Sequence, residues 1–344
     1  MIINPKQGRR AAYIAEIGIN HNGDINIAQK MIDIAAKSGA DAVKFQTIIP
    51  ELLYSVYTSA LLKDGSETFT DNSQIDFFKK FSFTQKDYVK LKQTADDCGV
   101  IFLSSSFDKN SMDMLNEIGI TVHKLASSEI SNLPLIKHAA VSKKPLLLST
   151  GMSTELDIEK ALVEYRNAGG LEIELLHCVS LYPPTLSDLN LMRIVKLREK
   201  FLLDVGFSDH SRGTDAAFAA AILGVRLFER HFTFDKNYDC PDKEVSFDGE
   251  EFASMINTVE AGIDMLGDGK IAFSEKEAVV AASARRSLFA ACEIKAGKIL
   301  EQDDLITLRP AAGISPNEID TVLGKKAKNT IPKDFIIKKE YLID

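Results

Sequence analysis

Two histidines stand at the ends of apolar runs: His210 closes Val205-Gly-Phe-Ser-Asp-His210, and His231 closes Glu229-Arg-His231. Imidazoles at the ends of two barrel strands could share one divalent metal, with water or substrate completing its shell. Two histidines alone also fit ordinary hydrogen-bonded core or rim positions. Other apolar runs in the first 235 residues end in polar groups too. They supply Glu16, Asn20 and His21, then Lys44 and Gln46, Ser104-Ser105-Ser106, and Lys124 with Ser127 and Glu129. Ser149 and Thr150, Ser180 and Tyr182, Ser208 and Asp209, and Glu229 continue the series. Lysine charge with orienting hydroxyls at one mouth is what a phosphate-bearing anion needs, and carboxylates beside them could position sugar hydroxyls or a water. Each Ser or Lys taken singly also reads as solvated rim, and only the ordered succession makes them a set.

Such a set requires a scaffold that brings many strand ends together. Short apolar runs alternate with helical patterns: strands are expected at Ala11–Ile19, Ala42–Gln46, Val100–Ser104, Val122–Leu125, Pro145–Ser149, Ile173–Cys178, Asp204–Phe207 and Val225–Phe232. Asp24 is placed to cap the first helix, Thr84 with Asp87 and Thr154 with Asp157 make near capping boxes, and a last amphipathic helix runs from about Glu250 to Leu266. Eight strand–helix units in this length give an α/β fold, a (β/α)8 TIM barrel. A doubly wound sheet would need a glycine-rich phosphate turn after strand one, and Gly18-Ile-Asn-His-Asn-Gly23 is not one. The polar stretch from about 50 to 73 is too long for a simple connection and reads as an elaborated loop suited to substrate contacts or a lid.

The barrel is expected over residues 1–270, a linker over 271–283, and a small domain over 284–344, whose modest core favours docking on something larger. With 344 residues, 45% of them hydrophobic, the chain can bury a sizeable core. A net charge of −8 without a long basic run argues against nucleic acid or an anionic membrane as partner. Cys98, Cys178, Cys240 and Cys292 lack CxxC spacing, which fits a reducing cytoplasm better than a disulfide framework. No signal peptide is expected before Ala11, and no apolar run approaches the roughly 20 residues of a membrane span.

Ala15-Glu-Ile-Gly-Ile-Asn-His-Asn-Gly23, Asp41-Ala-Val-Lys-Phe-Gln46, Leu148-Ser-Thr-Gly-Met152, Phe207-Ser-Asp-His210 and Arg285-Arg-Ser-Leu288 resemble the sialic acid synthase family. The resemblance extends over nearly the whole chain, and its C-terminal part is similar to the antifreeze-like (SAF) domain of these enzymes. It implies condensation of phosphoenolpyruvate with a six-carbon amino sugar to a nine-carbon acid in a domain-swapped homodimer. Position by position it implies that Lys44, Ser105, Lys124, Ser127, Ser149, Ser180 and Ser208 hold phosphoenolpyruvate. It further implies that Glu16, Tyr182, Asp242 and Arg309 contact the sugar and that His210 and His231 bind a divalent metal; in such a mechanism Glu129 is a candidate to orient or deprotonate the water. Manganese, magnesium or cobalt suits so open an oxygen-rich site better than structural zinc. Ser180 replaces an asparagine of some members, Lys243 a histidine, and Ala311 a glycine, departures that bear on which sugar is used.

N-acetylmannosamine is the default acceptor and a diacetamido-trideoxyhexose, leading to legionaminate or pseudaminate, the alternative. Three other readings remain. A Schiff-base aldolase would use Lys124 and leave the histidines unexplained. A synthase acting on a phosphorylated sugar would not account for the second domain. A sugar-binding protein without activity would not account for the polar strand ends.

Overall fold

The computed structural model describes residues 1–55 and 73–344. The expected lid stretch therefore lies largely outside the described residues; its flanks form two short helices, α2 (Pro50–Leu53) and α3 (Ser73–Lys79). By contacts the chain divides into two compact units, Met1–Gly267 and Asp268–Asp344. No helix among the described residues is long and apolar enough to cross a membrane.

The first unit is a closed parallel barrel in the order β1 to β8. Its strands are β1 (Ala12–Gly18), β2 (Ala42–Thr47), β3 (Ile101–Ser106), β4 (His123–Leu125), β5 (Leu146–Ser149), β6 (Ile173–Cys178), β7 (Val205–Asp209) and β8 (Leu227–His231). Helix α1 (Ile25–Lys37) begins where the Asp24 side chain accepts from the backbone N–H groups of Asn26 and Ile27. Reciprocal capping boxes start α4 (Gln85–Asp97) at Thr84 and Asp87, and α7 (Glu155–Asn167) at Thr154 and Asp157. The ring is completed by α5 (Lys109–Glu117), α6 (Leu133–Val141), α8 (Met192–Phe201), α9 (Asp215–Ile222) and α10 (Gly249–Met265).

Strand alternation divides the core in two. Tyr13, Ala15, Val43, Phe45, Leu146, Leu148, Phe207 and Phe228 belong to the large cluster between strands and helices. A second cluster inside the barrel contains Ile14, Ala42, Leu103, Val122, Leu147, Leu176 and Leu227, with Ile3. Two residues further along each of these strands, on the same face, stand Glu16, Lys44, Ser105, Lys124, Ser149, Cys178 and Glu229. The inward row thus changes from apolar to polar in one strand step. At Gly206 in β7 a Cβ would lie 2.5 Å from Leu176 Cδ2 and 2.8 Å from the Leu227 carbonyl, so the apolar layer closes tightly there.

In the second unit, the segment expected to be a linker contains a helix, α11 (Glu275–Ala284). Ser274 and Glu277 form a capping box ahead of an alanine-rich run, so the start signal was present although no apolar face accompanied it. Strands β9 (Ser287–Ala290) and β10 (Leu305–Leu308) pair antiparallel, as do β11 (Lys326–Ala327) and β12 (Leu342–Ile343). They enclose a small core of Leu288, Ile294, Leu300, Ile314, Val322, Ile331 and Ile337.

Candidate active site

The polar row opens into a cavity of about 340 Å³ at the C-terminal ends of the strands. It is lined by Glu16, Lys44, Gln46, Ser105, Lys124, Ser127, Ser149, Ser180, Tyr182, Ser208, His210, Glu229 and His231, all singled out from sequence, and by Phe107, Ala126, Ser128, Met152 and Cys178. Asp242 is not on that wall but reaches His231, its Oδ2 standing 3.3 Å from Nδ1. Glu129 is also off the wall; Ser128 Oγ donates to its Oε1 at 3.0 Å and Asn132 Nδ2 to its Oε2 at 2.8 Å. Arg309 lies in the second unit, on the loop after β10.

Lys44 Nζ is 2.8 Å from Glu16 Oε2, 3.6 Å from Glu229 Oε1 and 3.2 Å from Ser105 Oγ. Lys124 Nζ donates to Ser149 Oγ at 2.7 Å, and its nearest carboxylate oxygen, Glu229 Oε2, is 4.0 Å away. Ser208 Oγ donates to Glu229 Oε1 at 3.0 Å, so Glu229 sits between both lysines and a hydroxyl. Sequence reading had noted it at a strand end without a role. The signal was available, because Glu229 is two residues before His231 on one strand and must share its face.

The charges divide accordingly. Burial alone would raise the Glu229 pKa, but Lys124 and Lys44 hold it at about 2. Burial raises that of Glu16, only partly opposed by Lys44. Burial also works against the Lys44 cation, yet Glu16 and Glu229 outweigh it and the net shift is upward. Lys124 is shifted downward by burial, with Lys44 adding to the effect, and Glu229 and Glu16 do not compensate. The cavity therefore presents one amine compensated by two carboxylates and one with little compensation, and the second gains most from an arriving anion.

Two glycines shape the wall. Gly18 has φ +57°, and a Cβ there would lie 3.2 Å from Glu16 Oε1 and 3.3 Å from Gln46 Nε2, atoms that are themselves 3.1 Å apart in a hydrogen bond. At Gly151 a Cβ would meet Ser180 Oγ at 2.5 Å and Ser127 Oγ at 2.8 Å, while the Gly151 N–H donates to Ser127 Oγ at 2.9 Å. Glycine there lets three wall elements converge.

The histidine rings are 5.2 Å apart, and the Tyr182 ring stacks on His210 at 4.1 Å. His210 Nδ1 is 3.0 Å from the Val179 carbonyl, which fixes the proton on Nδ1 and leaves the Nε2 lone pair available. Burial lowers the His210 pKa to about 3, with His231 adding to the effect, so the ring is neutral, the form that ligates. Burial would lower that of His231 as well, but Asp242 and Glu16 reverse the shift. His231 Nδ1 is buried without an aligned hydrogen-bond partner despite its nearness to Asp242. Among the described residues no three or more His, Cys, Asp or Glu side chains form a closed metal cage. Two imidazoles, one with an orphaned nitrogen, beside an oxygen-rich wall fit a divalent cation whose shell water and substrate complete.

Residues 31–271 match the NeuB family and residues 285–342 the SAF domain. The chain is 38% identical over 333 residues to N,N'-diacetyllegionaminic acid synthase of Campylobacter jejuni, covering 96% of this chain and 100% of that protein. It is 34% identical over 325 residues to a pseudaminic acid synthase of Campylobacter jejuni, covering 94% of each. Among solved structures, the N-acetylneuraminic acid (sialic acid) synthetase of Leptospira borgpetersenii serovar Hardjo-bovis in complex with citrate superposes with a TM-score of 0.71 at 32% identity, over 80% of this chain and 90% of that one.

Proposed function

Since the chain belongs to the NeuB family and carries a SAF domain C-terminal to its barrel in sequence, we propose that it condenses phosphoenolpyruvate with an N-acylated amino sugar and water, giving a nine-carbon acid and phosphate. The observation that carries this reading is the pair of buried lysines, facing serine hydroxyls, beside two histidines in one cavity. Lys44 and Lys124, with Ser105, Ser127, Ser149, Ser180 and Ser208, bind the phosphate and carboxylate of phosphoenolpyruvate. Glu16, Tyr182 and Asp242 orient the open-chain sugar. Arg309, lent by the SAF domain of a second chain in a domain-swapped homodimer, holds the acyl-amino oxygen.

C3 of phosphoenolpyruvate adds to the aldehyde carbon, cation character develops at C2, water adds there, and phosphate leaves. Glu129 takes the water's proton through Ser128 Oγ, which lines the cavity and donates to Glu129 Oε1. His210 and His231 would hold a divalent cation, manganese before magnesium or cobalt, which supplies Lewis-acid polarisation of the aldehyde.

N-acetylmannosamine, giving N-acetylneuraminate, is the default acceptor. A second reading, a diacetamido-trideoxyhexose giving legionaminate, is favoured by the 38% identity to a legionaminic acid synthase. The purified protein is to be given each sugar with phosphoenolpyruvate and manganese, following phosphate release and product mass. Phosphate release with one sugar, abolished by chelator and restored by manganese, is expected. Full activity in excess chelator, or a borohydride-trapped adduct on Lys124, would refute the reading in favour of an aldolase.

A further inference from the structure

Asp209 and Arg230 do not line the cavity, yet each immediately precedes one of the two histidines. Alternation turns both to the outer face of the barrel, the side where Phe207 and Phe228 pack against helices. There they form a buried ion pair, Arg230 1% and Asp209 2% exposed, with Nη1 2.7 Å from Oδ2. Neither atom is aligned as a hydrogen bond, so the contact is ionic.

The contacts of this pair close around both histidines. Arg230 Nη2 donates to the Ser211 carbonyl, and the Ser211 N–H donates to Asp209 Oδ1 at 2.8 Å, which fixes both neighbours of His210. The guanidinium lies 3.7 Å from the centre of the Phe247 ring. The Phe247 N–H in turn donates to the His231 carbonyl, and the Phe247 carbonyl accepts from Thr233 N–H, each at 2.8 Å. A buried pair among apolar side chains is poor value for stability, because desolvation offsets much of the attraction and apolar residues of similar volume often do as well. A planar guanidinium that touches three anchored groups, the Asp209 carboxylate, the Ser211 carbonyl and the Phe247 ring, instead fixes geometry.

We propose that Asp209 and Arg230 are positioning residues, a brace behind the wall that sets the spacing and direction of the His210 and His231 rings and thereby the affinity for a divalent cation. The proposal rests on the reading that these histidines hold the cation. A merely structural ion pair would lower stability when removed and leave cation affinity no more affected than phosphoenolpyruvate affinity.

The test is manganese binding to metal-free protein without substrate, counted from the electron paramagnetic resonance signal of unbound ion. Phosphoenolpyruvate binding to the same metal-free protein is measured by calorimetry. Asp209→Asn/Arg230→Met removes both charges together and strands neither. It should weaken manganese binding roughly 10- to 100-fold, as loss of groups that orient metal ligands does, and change phosphoenolpyruvate binding by less than about threefold. Arg230→Lys, which keeps the charge and loses the fork, should fall between. A folded double variant that binds manganese like wild type, or loses both ligands equally, overturns the brace. Should the double variant not fold, Arg230→Lys and Phe247→Leu decide by the same comparison. His231→Ala separates the two ideas: if it abolishes manganese binding while the brace variants do not, only the brace fails. If wild type and His231→Ala bind manganese alike, the histidine reading fails and the brace with it.

Discussion

Replacing Lys124 by methionine removes one buried charge and keeps the length of the side chain. In the free protein Lys44 has carboxylate oxygens at 2.8 and 3.6 Å, whereas the nearest to Lys124 is at 4.0 Å. Lys124 is thus the cation with least local compensation, and an arriving phosphate or carboxylate gains most from it. Losing one hydrogen bond to a charged group costs roughly 1.5–3 kcal/mol, about a 10- to 150-fold weakening of phosphoenolpyruvate binding. Stability should move little, because Glu229 keeps Lys44 and Ser208 as partners and the desolvation that lowers the Lys124 pKa disappears with the amine. Calorimetry on metal-free protein gives the phosphoenolpyruvate affinity, and steady-state kinetics should show a sugar KM within about threefold of wild type. Unchanged phosphoenolpyruvate affinity, or an equal shift in the sugar KM, would refute the assignment of Lys124 to the anion.

Gly151→Ala should push Ser127 and Ser180 from the wall and lower phosphoenolpyruvate affinity while the thermal transition stays within a few degrees; wild-type affinity would show that those hydroxyls are spectators. His123 is buried with Nε2 2.8 Å from Ser142 Oγ, and burial holds its pKa at about 4, as it does for His21. Since the folded value is below the unfolded one, the unfolded chain takes up protons first, and stability falls as pH drops from about 6.5 towards 4, by up to roughly 3 kcal/mol per histidine. His123→Gln should flatten that limb of the Tm–pH curve, and an unaltered limb would exclude His123 as a cause. Arg309→Ala and His231→Ala should each be inactive alone, whereas co-expressed chains should recover about a quarter of wild-type activity if domains are swapped. Recovery no greater than the sum of the two, with mixed dimers present, would place Arg309 over its own barrel.

Most of the barrel was legible because its signals are local. The capping boxes at Thr84 and Thr154 and the cap at Asp24 mark helix starts, and the runs that became β2 and β6 are bounded by turn residues. Strand ends were less exact: β3 continues to Ser106 and β7 to Asp209, because polar residues look like loop in a sequence whether they face the lumen, as Ser105 and Ser208 do, or the outer side, as Asp209 does. The same blind spot hid the role of Glu229, whose importance comes from two lysines on other strands. The positions of Glu129 behind Ser128 and of Asp242 beside His231 depend on loop conformations that no periodicity encodes. Helix α11 was missed because all its side chains are at least partly exposed, leaving only Ser274 and Glu277 to mark its start.

The apolar layer of Ile14, Ala42, Leu103, Val122, Leu147, Leu176 and Leu227 has a kinetic consequence. It stops the lumen from below, so among the described residues the cavity opens at the C-terminal ends of the strands. His231 stands one strand step nearer that opening than Glu229 and the lysines grouped around it. A molecule seated on the lysines is then covered by one seated at the histidines. With the substrates seated as proposed, the order of arrival is compulsory, the lysine-bound anion first and the aldehyde second. A dead-end analogue of the sugar should accordingly be an uncompetitive inhibitor against phosphoenolpyruvate, and a noncompetitive pattern would show that the queue can be jumped.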